Sequence, residues 1–114
     1  WQKSMDLVVE IYAITKKFPE DKKYGLVSQM RRAAVSIASN IAEGRAKRST
    51  RDFIRFLNIS YGSHAELETQ TIIAFRLGYI KQQALDKLLL QTTEIARMLN
   101  GMISTLEKKL LSEC

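Results

Sequence analysis

Residues 31–53 read RRAAVSIASNIAEGRAKRSTRDF. Small and aliphatic residues recur at helical intervals, a glycine follows at position 44, and basic residues then crowd together. The pattern predicts two helices joined by a short cationic corner. Upstream of the glycine, Leu26, Met30, Ala34, Ile37 and Ile41 share one stripe of a helix over about residues 25–43. Ser28, Arg32, Ser36, Ser39, Asn40 and Glu43 fall on its other faces. Gly44 is expected to end that helix as a left-handed cap. Downstream, Ser49 and Asp52 in STRD form a capping-box-like start. The helix they open runs from Thr50 to Leu77, where Gly78 stops it.

The same punctuation divides the rest of the chain. A first helix over about residues 2–18 carries Met5, Val8, Val9, Tyr12 and Phe18, and PEDKKYG supplies the turn after it. Beyond YIKQQ, a seam from Leu85 through Leu88, Thr92, Ile95, Leu99, Met102 and Leu106 to Leu110 predicts a fourth helix, with Gly101 as its weak point. Short connectors favour antiparallel neighbours, so the expected fold is all-α: one domain over residues 1–114, an up-down-up-down four-helix bundle.

Composition limits what such a bundle does. With 114 residues and 46% hydrophobic content the chain supports one core. Its 18 Lys and Arg against 12 Asp and Glu give a net charge of +6, which directs attention to polyanions. The single cysteine, Cys114, excludes an internal disulfide and predicts a reducing cytoplasm. No apolar run approaches the roughly 20 residues a membrane span needs, and no membrane partner is expected.

The inventory for catalysis is thin. His64, the one histidine, lies four residues before Glu68, which makes two potential ligands and not a metal site. No glycine-rich phosphate loop or cysteine–histidine pair is present, so no enzyme, metal or cofactor is expected. Ser39, Asn40 and Glu43 on the second helix, with Glu66, Glu68 and Gln70 on the third, read mainly as hydrogen bonding that sets helix register; the alternative has Asn40 and Glu43 shaping what binds at the basic corner.

Two features remain. FIRFLNISY, residues 53–61, places Phe53, Phe56, Leu57 and Ser60 on one face and leaves Ile54, Ile59 and Tyr61 on others. Such surplus apolar surface predicts self-association through Ile54, Ile59, Tyr61 and Gly62. Gly62 admits two readings: close approach by another helix, or room for a bulky side chain within the protomer. The second feature is the corner. Arg45, Lys47, Arg48, Arg51 and Arg55 against Glu43 and Asp52 make a local balance of +3, half the chain's total. Cations beside a helix N-terminus suit phosphates, and no aromatic residue interleaves Arg45, Lys47, Arg48 and Arg51 for base stacking.

WQKSMDLVVEIY, FPEDKKYGLVSQMRRAAVSIASNIAEG and FIRFLNISYGSHAELETQTIIAFRLGYI closely resemble the four-helix-bundle proteins called 23S rRNA intervening sequence proteins, or S23 ribosomal proteins. The likeness covers about residues 1–80 and fades in the fourth helix; Ala38 stands where many relatives have proline. It implies a ring-like homopentamer and an association with RNA or other nucleic acid. The family's basic positions would correspond to Arg31, Arg32, Arg45, Arg48 and Arg51. A related branch, the accessory variability proteins of diversity-generating retroelements, implies the alternative of a protein-interaction scaffold that docks a reverse transcriptase.

Overall fold

A computed structural model describes residues 1–20 and 25–113. It contains four helices: α1 (Gln2–Thr15), α2 (Leu26–Ala46), α3 (Thr50–Arg76) and α4 (Gln82–Ser112). No strand occurs among the described residues. Residues 21–24, the middle of the expected PEDKKYG turn, lie outside them, as does Cys114.

The helices pack as a bundle 54 Å long and 22 by 19 Å across, with α2 against α3 as its largest contact. Along that contact the residue numbers step in opposite senses. Ser36 meets Ser63, the Ser60 hydroxyl donates to the Ile37 carbonyl, and Gly44 faces Phe53 and Phe56. Lys3 with Glu94 and Glu10 with Lys87 step the same way between α1 and α4. The core is the predicted stripe of α2, with Met30, Ala34, Ile37 and Ile41 fully buried, packed around Leu57, Leu67, Leu88, Ile95 and Leu99.

Two helix ends follow the sequence. Ser49 is the N-cap of α3, its hydroxyl accepting from the Asp52 amide at 3.2 Å. At the far end Gly78 adopts φ 81°, its N–H bonding the Phe75 carbonyl while that of Tyr79 bonds Ala74. This is the Schellman arrangement, and it needs a residue free of the β-carbon penalty. It also delivers Tyr79 to Phe18, ring centroids 5.3 Å apart, which ties the end of α1 to the α3–α4 turn.

Gly44 departs from expectation. It is a buried helical residue, α2 continues to Ala46, and the chain leaves through an extended Lys47. The glycine is needed for space: an added β-carbon would lie 2.9 Å from the Phe53 ring and 3.0 Å from the Phe56 β-carbon. The α1 stripe is also displaced. Its buried face is Ser4, Leu7, Ile11 and Thr15, while Met5, Val9 and Tyr12 face outward. MDLVVEIY is apolar on two sides, so apolarity alone does not choose the inner one. Burying Ser4 and Thr15 costs little because the Ser4 hydroxyl donates to the carbonyl of the N-cap Trp1 and the Thr15 hydroxyl to that of Ile11.

Gly44→Ala is expected to destabilise the fold by about 1–2 kcal/mol, because the crowded phenylalanines must shift. Gly101→Ala, where an added β-carbon meets nothing within 4 Å among the described residues, is expected to stabilise it by up to about 1 kcal/mol. Urea denaturation of the two variants reads both signs.

Candidate nucleic-acid interface

The close approach at Gly44 brings the end of α2 onto the first turn of α3, so three residues, Lys47 to Ser49, suffice to join them. Arg45 therefore belongs to the last turn of α2 and not to the connector, where the sequence had suggested it; Lys47 and Arg48 occupy the connector, and Arg51 and Arg55 the start of α3. All five side chains are exposed.

Their surroundings differ. The Arg55 guanidinium lies 4.5 Å from the Phe56 ring centroid and the Lys47 ammonium 5.3 Å from the same centroid. Arg55 also sits 3.9 Å from the Asp52 carboxylate, an exposed contact worth little. Arg45, Lys47, Arg48 and Arg51 make no ion pair among the described residues. Phe56, which sequence reading assigned only to the core, is a buried platform that holds two cations by their attraction to its ring face. Its position directly after Arg55 was the available signal. With the Asp52 amide capped by Ser49, the first-turn amides of Thr50 and Arg51 complete a corner able to accept an anion.

Arg31 and Arg32 are elsewhere. Fourteen residues of helix, about 21 Å, separate Arg31 from Arg45. Arg31 is half-buried, its Nε donating to the Thr15 hydroxyl at 3.0 Å and its guanidinium stacked 4.5 Å from the Tyr12 ring centroid. It ties α1 to α2. Arg32 is exposed beside Glu66, Gln29 and Gln70, lining a polar groove between α2 and α3.

The polar residues expected to set register do so in part. Asn40 donates to the Ser36 carbonyl and hydroxyl at 2.8 and 3.0 Å, and Ser36 meets Ser63 at 2.8 Å. Ser39, Glu43 and Glu66 are exposed. His64 is buried against Tyr61, centroids 5.3 Å apart, with neither ring nitrogen hydrogen-bonded among the described residues; its Nε2 is 3.6 Å from the Glu68 carboxylate. Among the described residues no three His, Cys, Asp or Glu side chains cluster as metal ligands, and no helix is long and apolar enough to cross a membrane. Of the expected contact residues, Ile59, Tyr61 and Gly62 are exposed and Ile54 is half-buried.

Residues 1–101 match the family model for the 23S rRNA-intervening sequence protein. The chain belongs to that family. The match runs through most of α4, past the point near residue 80 where the sequence likeness fades. A crystal structure of a protein of unknown function from the S23 ribosomal protein family, from Bacteroides thetaiotaomicron VPI-5482, is similar at 30% identity. It has a TM-score of 0.84, and the alignment covers 90% of this chain and 95% of that one. No match is found among curated proteins.

Arg31→Ala is expected to destabilise the protein by about 1–2 kcal/mol, the sum of one hydrogen bond and one cation–π contact. It should leave the salt dependence of polyanion binding unchanged, which a denaturation curve and a salt titration of the same variant establish together.

Proposed function

We propose that this family member is a non-enzymatic, cytoplasmic nucleic-acid-binding protein, an antiparallel up-down-up-down bundle acting on RNA as a homopentameric ring. One observation carries the reading: Arg45, Lys47, Arg48 and Arg51 are exposed at one corner, with no carboxylate engaging them among the described residues. Uncompensated positive charge beside free helix amides matches the chemistry of a phosphate backbone. The family description names 23S rRNA, which favours RNA as the polyanion.

Arg48 and Arg51 are the principal phosphate contacts, because neither is held by Phe56. Arg45 and Lys47 support them, and Arg55 contributes field more than contact. The corner reads no sequence, since its cations reach backbone oxygens and its two aromatic rings, Phe53 and Phe56, are packed against Gly44. Repetition around a ring would convert weak single contacts into firm binding through effective concentration.

Labelled structured RNA titrated at several salt concentrations should lose affinity steeply. The double variant Arg48→Ala, Arg51→Ala is expected to lower the slope of log affinity against log salt by about 1.4–1.8 per bound protomer, two contacts at about 0.7–0.9 each. An unchanged slope in the double variant refutes the corner as a phosphate site.

A further inference from the structure

We infer that a second copy of this chain lays the outward face of its α1 along the outward face of α3, the two helices parallel, so that two different surfaces join head to tail. The inference rests on the self-association proposed above and names the surfaces that carry it.

The outward line of α1 and its C-cap residue is Asp6, Val9, Ala13 and Lys16, spaced three, four and three residues apart and exposed throughout. The outward line of α3 is Arg55, Ile59, Gly62 and Glu66, spaced four, three and four and equally exposed. Acid-to-base on α1 covers ten residues and base-to-acid on α3 covers eleven, which is about 15 and 16 Å of helix. Laid parallel, Asp6 meets Arg55 and Lys16 meets Glu66. Laid antiparallel, Asp6 faces Glu66 and Lys16 faces Arg55, and both ends repel. Charge thus selects the partner and its direction.

Between the charged ends, α1 offers bulk and α3 offers room. Val9 is 69% exposed, midway along the line between the two charges. Gly62 is exposed and an added β-carbon would meet nothing within 4 Å among the described residues, while its φ is not left-handed. Neither packing within the protomer nor backbone geometry asks for a glycine there, and its open side leaves room for another helix to approach closely. Met5, Val9 and Tyr12 on α1, with Ile59 on α3, are each at least 39% exposed and supply the apolar part of the contact. The two faces belong to different helices, so pairing them uses one face of each copy and leaves the other for the next, a head-to-tail contact that gives a ring when its rotation closes and a filament when it does not.

Asp6 and Arg55 supply the test, read as mass in solution by light scattering without RNA. The parent chain should be an oligomer; Asp6→Arg alone and Arg55→Asp alone should each fall toward the single-chain mass. Asp6→Arg with Arg55→Asp in one chain should regain the parent mass, since every contact then carries the reversed pair. Gly62→Leu should also dissociate the assembly while melting no lower than the parent by circular dichroism. An oligomer whose mass survives both single reversals, or a double reversal that stays dissociated, overturns the inference and leaves self-association standing. A monomeric parent overturns both. The phosphate reading falls separately, on the salt slope.

Discussion

The contact on which the rest depends is the approach of α2 to α3 at Gly44. There the absence of a side chain lets Phe53 and Phe56 sit directly on the α2 backbone, and a β-carbon would hold the helices apart. Further along, Ser36 on Ser63 and Ser60 on the Ile37 carbonyl extend the close approach with short polar side chains instead of bulky apolar ones. Buried polar atoms must find partners, so these bonds also fix the register: a slide of one helix past the other would leave two hydroxyls unpaired. Around that pair, α1 packs on α2 and α4 packs on α3.

That close approach places the charge. Because the two helices meet so closely, their connector is short, and the cations of the α2 end, the connector and the α3 start are held in one corner. Within it Phe56 sorts them. The side chains over its ring are drawn onto the protein surface, while Arg48 and Arg51 project without such a partner. Arg31 illustrates the opposite use of the same residue type. With its charge over Tyr12 and its Nε on Thr15, it works as a strut between α1 and α2, and its distance from the corner follows from the helical rise alone.

Much of the fold was legible because its punctuation is sparse and chemically specific. Ser49 with Asp52, and Gly78 before an aromatic residue, are signals whose local hydrogen bonding is nearly independent of the rest of the chain. The α2 stripe was legible for another reason: its polar faces contrast sharply with its apolar one. The α1 stripe lacked that contrast, and the inner face went to the side where serine and threonine could satisfy themselves. Within the candidate site the exposed cations were readable from charge density, whereas the division between Arg31 and Arg48 was not, since both are arginines in basic surroundings.

The sequence by itself determined that the chain is helical, where α3 starts and stops, and that positive charge gathers between residues 45 and 55, because caps, periodicity and formal charge act over a few neighbouring residues. Only the tertiary structure decided that Gly44 serves helix packing and not a cap, that Arg31 is engaged and Arg48 is not, and that Gly62 faces open space within the protomer. Each of those depends on what another helix places opposite, and that distance across the bundle is not encoded in local spacing.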